Sequence, residues 1–94
     1  MENYRLLIPR NTANKLQLFA LYTGNIYLGH SGIENWDAFE GLLLDRLEDS
    51  EIAVRVVEEH PLALSARDLE IYERVKRRLA QEFPDKISFE RALP

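Results

Sequence analysis

Cysteine is absent from the sequence, which excludes disulfide bonds, thiolate metal sites and a cysteine nucleophile. No apolar run approaches the roughly 20 residues that a membrane-spanning helix needs. The short apolar run near the N-terminus ends at Pro9, so we expect no signal peptide. A chain of 94 residues that is stabilised by packing alone is predicted to be one soluble domain, residues 1–94, in the reducing cytoplasm.

Net positive charge is also lacking. Twelve Lys and Arg residues stand against sixteen Asp and Glu residues, which gives a formal net charge of −4 and a pI near 5.1. Nucleic acid is not expected as the main partner, because phosphate binding needs a clustered basic surface. The basic run Lys76-Arg77-Arg78 lies in a predicted helix and is interpreted as a solvated face. The acidic balance is compatible with a basic protein partner.

Signatures of catalysis are missing as well. The glycines form neither G-x-G-x-x-G nor G-x-x-x-x-G-K-[ST], and the serines have no nucleophile signature around them. His30 and His60 fall in predicted loops without the spacing of metal ligands. We therefore expect a chain that is not an enzyme and has no cofactor or metal. A small hydrolase that uses His60 is kept as a third hypothesis, because ligands often bind where parallel strands end.

The first third of the chain allows two interpretations. Residues 4–8 form a predicted strand, and residues 16–28 form a predicted β-hairpin that turns at Thr23-Gly24-Asn25. A helix over residues 12–21 competes with the hairpin, because three of its side chains also fit helical spacing: Leu16, Phe19 and Ala20.

The remainder alternates helices and strands. Helices are predicted over residues 36–47 and from Ser65 to Phe83. The almost continuously apolar residues 52–57 predict a strand that is buried on both faces, and residues 86–90 predict the last strand. This order predicts an α/β fold, a small and mainly parallel sheet flanked by two long helices, with an added N-terminal strand and β-hairpin.

The helix over residues 36–47 has two distinct faces. Asn35 is a suitable N-cap, because its side-chain oxygen accepts a hydrogen bond from a first-turn N–H. Trp36 is predicted to be a core residue rather than an interface anchor, because it shares a helical face with Phe39 and Leu43.

The second face is an acidic ridge. Asp37, Gly41 and Asp45 are spaced four apart, Glu40 lies between this ridge and the core, and Glu34 precedes the helix. The ordinary interpretation of such a ridge is a solvated helix face. The functional interpretation is a surface that binds lysines and arginines of a basic cleft through charge-assisted hydrogen bonds, as phosphate groups would.

The segment Ile33-Glu34-Asn35-Trp36-Asp37-Ala38-Phe39-Glu40 resembles the Asn-x-Asp-Ala-apolar signature of the barstar family, small intracellular inhibitors of secreted microbial ribonucleases. Weaker likenesses lie at residues 56–62 and 69–72, and the resemblance extends from about residue 25 to residue 89. It implies a small parallel sheet flanked by helices. It also implies an inhibitor that lays the helix at this motif, and the loop before it, across a ribonuclease active site. Asn35 and Asp37 match the motif's asparagine and aspartate.

Other positions depart from the family pattern. Gly41 stands where the founding inhibitor has a second interface aspartate, Glu40 replaces a tryptophan, and His30 and Ser31 replace a pair of loop tyrosines. The predicted hairpin takes the place of the family's first helix.

The resemblance therefore predicts a barstar-like immunity protein, expected to be a monomer, whose partner is a basic toxin and by analogy a ribonuclease. The predicted partner-binding residues are Glu34, Asn35, Asp37, Glu40, Gly41 and Asp45. The competing hypothesis is an interaction module that assembles with itself or with a scaffold protein through the N-terminal hairpin.

Overall fold

Alternating side chains define the first strand, β1 (Glu2–Ile8), in a computed structural model that describes residues 1–29 and 32–92. Leu6 and Ile8 are buried, whereas Arg5 before them and Leu7 between them are exposed. The predicted strand is confirmed and begins two residues earlier than residue 4. In the loop predicted before the acidic helix, residues 30 and 31 lie outside the described part of the chain.

The predicted hairpin over residues 16–28 is wrong, because this segment forms helix α1 (Lys15–Ile26). The Asn14 side chain caps the helix by accepting a hydrogen bond from the Gln17 N–H at 3.0 Å. Gly24 is exposed within the last helical turns, where it costs only about 1 kcal/mol relative to alanine. Burial outweighs that cost, because side chains at helical spacing enter the core: Leu18, Phe19, Tyr22 and Ile26.

The later elements agree with the predicted types. They are helix α2 (Trp36–Asp49), strand β2 (Ile52–Glu58), helix α3 (Ala66–Glu82) and strand β3 (Ile87–Arg91). Ser65 caps α3 by accepting a hydrogen bond from the Asp68 N–H at 3.1 Å. The described residues thus form three helices rather than the predicted two.

The three strands form one sheet in the order β1-β2-β3, and both neighbouring pairs are parallel. This confirms the predicted parallel sheet and fixes β1 as an edge strand. The prediction that residues 52–57 are buried on both faces is wrong in part. Arg55 is exposed and lies opposite Arg5 in the register, so one face of the sheet carries charged side chains and is open to solvent there.

Aromatic rings join the three helices over the covered face of the sheet. Phe19 of α1 stacks on Phe39 of α2 with 4.5 Å between ring centroids, and Tyr22 meets Tyr72 of α3 edge to face. Trp36 contacts this cluster from the first position of α2. Within residues 1–29 and 32–92, no helix is long and apolar enough to cross a membrane.

Candidate partner-binding site

The N-terminus of α2 is stabilised by an N-cap residue. The Asn35 side-chain oxygen accepts a hydrogen bond from the Ala38 N–H at 2.8 Å, as the sequence predicts for an N-cap. The Asp37 carboxylate lies exposed in the first turn, where the helix dipole favours negative charge. The oxygen of Asn35 is therefore engaged in holding the helix start, and the charge presented there comes from Asp37.

A groove of about 510 Å³ runs along α2 from the preceding loop. Four of the six predicted site residues line it: Glu34, Asn35, Gly41 and Asp45. Ile33, Ala38 and Leu42 also line it and give the groove an apolar floor. The groove thus brings the carboxylates of Glu34 and Asp45 to one apolar surface. Asp37 and Glu40 lie outside this lining.

Gly41 keeps the groove open. A Cβ atom built on Gly41 would have no neighbouring heavy atom within 4 Å, so the space beside it is unfilled. Glycine costs about 0.5–1 kcal/mol in a helix interior relative to alanine, and no close backbone approach requires it here. Because Gly41 has no side chain, the groove is open at this position.

Glu40 is already paired within the molecule. Its Oε1 accepts a hydrogen bond from Nη1 of Arg78 in α3 at 3.2 Å, and the same guanidinium reaches Glu82 at 3.2 Å. Glu40 is half-buried between the two helices. The structure therefore separates Glu40 from the exposed carboxylates of the ridge and gives it a role in joining α2 to α3.

Negative charge is concentrated around α2. Residues 34–51 contain seven carboxylates and one arginine, a formal charge of −6, whereas the rest of the chain contains nine carboxylates and eleven Lys or Arg residues and is +2. The arginine, Arg46, is turned inward: its Nε donates to the Ile26 carbonyl at 2.9 Å and its Nη1 to Ser50 Oγ at 2.6 Å. The exposed face of α2 is thus left to its carboxylates.

Trp36 belongs to the packing, as the sequence predicts. Its ring is half-buried and meets Phe19 edge to face at 5.0 Å between centroids. Its Nε1–H donates to Oδ1 of Asp68 at 3.1 Å. Trp36 therefore connects the start of α2 to the first turn of α3.

Sequence reasoning missed a buried charged cluster where β2 ends. The Glu58 Oε1 accepts a hydrogen bond from Lys76 Nζ at 2.8 Å and lies 3.2 Å from His60 Nε2. Both Glu58 and Lys76 are buried, so the interpretation of Lys76-Arg77-Arg78 as a solvated face is wrong for its first residue. No sequence signal pairs these residues, because the contact depends on how α3 lies across the sheet.

Two tyrosine hydroxyls adjoin this cluster. The hydroxyls of Tyr22 and Tyr72 are 2.7 Å apart, and both side chains are almost fully buried. Burial is the largest cause that raises the pKa of each tyrosine above the ordinary 10.0, and the Glu58 charge raises both pKa values further. Both hydroxyls are therefore neutral throughout the physiological pH range.

No group of three or more possible metal-ligating side chains occurs within residues 1–29 and 32–92. Comparisons with family models, with curated proteins and with solved structures found no match to the chain.

Proposed function

We propose that the chain is a non-enzymatic inhibitor that binds a basic protein toxin, a ribonuclease by its resemblance to the barstar family, through the exposed face of α2 and the loop before it. The observation that carries the proposal is the set of exposed carboxylates beside the α2 groove, Glu34, Asp37 and Asp45. No ion-pair partner within 4.0 Å is found for these three among the described residues.

The groove matches the chemistry of lysine and arginine side chains. Their aliphatic stems are stabilised by apolar surface, such as the floor formed by Ala38 and Leu42, while their charged heads remain at a polar rim. Glu34 and Asp45 supply that rim. A ribonuclease presents such cations where it holds the phosphates of RNA, and carboxylates bind them through short charge-assisted hydrogen bonds.

The position of the elements is a second support. With α1 in place of the predicted hairpin, the chain runs strand, helix, loop, helix, strand, helix, strand around a parallel sheet. That arrangement agrees with the small parallel sheet and flanking helices that the resemblance implies, including a helix where the family has its first. The competing hypothesis is a module that assembles through an N-terminal hairpin. It lacks the structural element on which it depends, because residues 16–28 form no hairpin.

The proposal is tested by comparing two doubly substituted chains with the same change in charge. Asp37→Asn with Asp45→Asn alters the proposed surface. Glu70→Gln with Asp85→Asn alters exposed carboxylates elsewhere. The wild-type chain and both variants, each tagged, are used to capture partners from the lysate of the host, and the affinity for any basic protein recovered is measured by calorimetry.

We expect the wild-type chain and the control variant to bind a small basic protein with equal affinity. The Asp37→Asn/Asp45→Asn variant should bind it at least about a hundredfold more weakly, since each of the two charged hydrogen bonds contributes about 1.5–3 kcal/mol. Equal affinity of all three chains, each shown by circular dichroism to be folded, would reject this surface as the binding site.

A further inference from the structure

We infer that the carboxyl edge of the sheet holds a second site, independent of α2, which binds a phosphate group. Its side chains lie at the end of one strand and just beyond the ends of the other two. Arg10 follows β1, His60 follows β2 and Arg91 ends β3, and the three line one cavity of about 260 Å³ together with Glu59 and Ala92. Ligands of parallel α/β sheets bind at this edge, where the strands end.

The walls of this cavity are tied together by main-chain hydrogen bonds. The Glu59 N–H donates to the Ile8 carbonyl at 2.9 Å, and the Ala92 N–H donates to the Glu58 carbonyl at 2.7 Å. The segment after β2 is also held by the Ala63 N–H, which donates to the Arg10 carbonyl at 3.0 Å. The three segments therefore form the walls of one space before any ligand arrives.

The charges that face the cavity favour an anion. Arg10 and Arg91 are exposed, and neither guanidinium forms an ion pair within 4.0 Å in the described part of the chain. The one carboxylate in the lining is Glu59, which accepts a hydrogen bond from the Arg10 main-chain N–H at 2.9 Å. Glu58 lies behind His60, and its charge is held by Lys76 at 2.8 Å.

The dipoles of two neighbouring helices favour negative charge on this side of the sheet. Helices α1 and α3 both begin a few residues beyond a strand that ends at this edge, so the positive ends of their dipoles lie on the same side of the sheet. A second cavity of about 330 Å³ shares His60 and Arg91 with the first, but its other charged side chains are two cations and three carboxylates, so it adds no net positive charge: Lys76, Arg77, Glu58, Glu73 and Glu90.

The arrangement fits phosphate better than carboxylate. A carboxylate is planar and accepts hydrogen bonds within one plane, often from a single guanidinium fork, whereas a phosphate dianion accepts hydrogen bonds around a tetrahedron. Arg10, His60 and Arg91 belong to three different segments that line one cavity, an arrangement suited to a ligand that accepts hydrogen bonds on several sides. The ligand is inorganic phosphate or the terminal phosphate of a small phosphate monoester, and both share this chemistry.

The test is a titration of the whole chain, labelled with ¹⁵N, by inorganic phosphate and separately by adenosine monophosphate, at low and constant ionic strength. Chloride at matched ionic strength is the reference. The variants are Arg10→Gln and Arg91→Gln. Arg74→Gln is the control, because Arg74 is exposed on α3 and lines neither cavity, yet the substitution removes the same charge.

We expect saturable amide shifts at residues 10, 59, 60, 91 and 92 in the wild-type chain and in Arg74→Gln. Affinity should fall at least about tenfold in each of the other two variants. Saturation by phosphate identifies the free anion as the ligand, and saturation by the nucleotide alone identifies a monoester. Shifts that do not saturate, or that are unchanged in Arg10→Gln and Arg91→Gln, show an adventitious ion only and overturn the inference.

Discussion

The indole Nε1–H of Trp36 donates to the Asp68 carboxylate at 3.1 Å, which joins the first residue of α2 to the first turn of α3. This contact fixes the start of the acidic helix relative to the rest of the fold. The proposed binding face therefore rests on a residue that contributes packing rather than contact with a partner.

Trp36→Phe should destabilise the fold and leave partner binding unchanged. The substitution removes the hydrogen bond to Asp68 and part of the ring area that packs on Phe19, for a cost of about 1–3 kcal/mol in the free energy of unfolding. Urea denaturation followed by circular dichroism measures this cost, because the variant lacks the only tryptophan. A large loss of affinity in the folded variant would instead make Trp36 an interface anchor.

Gly41→Ala should stabilise α2 by about 0.5–1 kcal/mol, because alanine favours helix and its Cβ meets no atom within 4 Å. Thermal unfolding of the purified chain measures this gain. Gly41→Arg fills the same space with a cationic side chain, so it should weaken partner binding while the fold remains intact. Tight binding by Gly41→Arg would show that the partner does not enter the groove.

Lys76→Met should destabilise the fold by about 3–5 kcal/mol, because it leaves the Glu58 carboxylate buried without its closest cation. Adding Glu58→Gln to Lys76→Met should recover part of that loss, since no unpaired charge is then buried. Urea denaturation of the two single variants and the double variant gives the coupling between the residues. Additive effects would contradict a direct interaction.

Stability should fall at alkaline pH because of Tyr22 and Tyr72. Each has a pKa that burial raises above 10.0, so the folded state keeps protons that the unfolded state loses above that pH. Their contribution is fully present below about pH 10 and is lost as pH rises toward the raised pKa values, with a slope of up to about 1.4 kcal/mol per pH unit for each tyrosine.

The matched variant for that prediction is Tyr22→Phe with Tyr72→Phe. Replacing both members of the hydroxyl pair leaves neither buried oxygen without a partner. Unfolding measured between pH 8 and pH 11 should show a smaller alkaline loss in this variant than in the wild type. Parallel pH curves would show that the tyrosines do not cause the effect.

Local signals in the sequence predict α2, β2, α3 and β3, because their caps and hydrophobic periods agree with their final environment. The hairpin prediction for residues 16–28 was wrong, because loose alternation and Gly24 suit a hairpin as well as a helix. Only the packing of Tyr22 and Ile26 against the core selects the helix. Arg55 carried a readable signal, since a charged residue inside an apolar run marks an open sheet face.

The candidate site also has features that the sequence predicts and features that it does not. The Asn35 cap follows from its residue type at the start of the helix, and the exposure of Asp37 and Asp45 follows from helical spacing. Arg78 pairs with Glu40 and so separates it from the exposed carboxylates of the ridge. This contact joins two helices that are distant in the chain, so no local pattern predicts it. The cavity of Arg10, His60 and Arg91 likewise exists only once three strands lie parallel and in register.

The proposed inhibitor function is tested by a titration of ribonuclease activity. The small basic protein recovered from the host is assayed on RNA while the chain is added in increasing amounts. We expect activity to fall linearly and to be abolished at one equivalent of the wild-type chain, whereas Asp37→Asn/Asp45→Asn should require a large excess. A recovered partner without ribonuclease activity, or one whose activity is unchanged by several equivalents of the wild-type chain, would contradict the proposed inhibitor function.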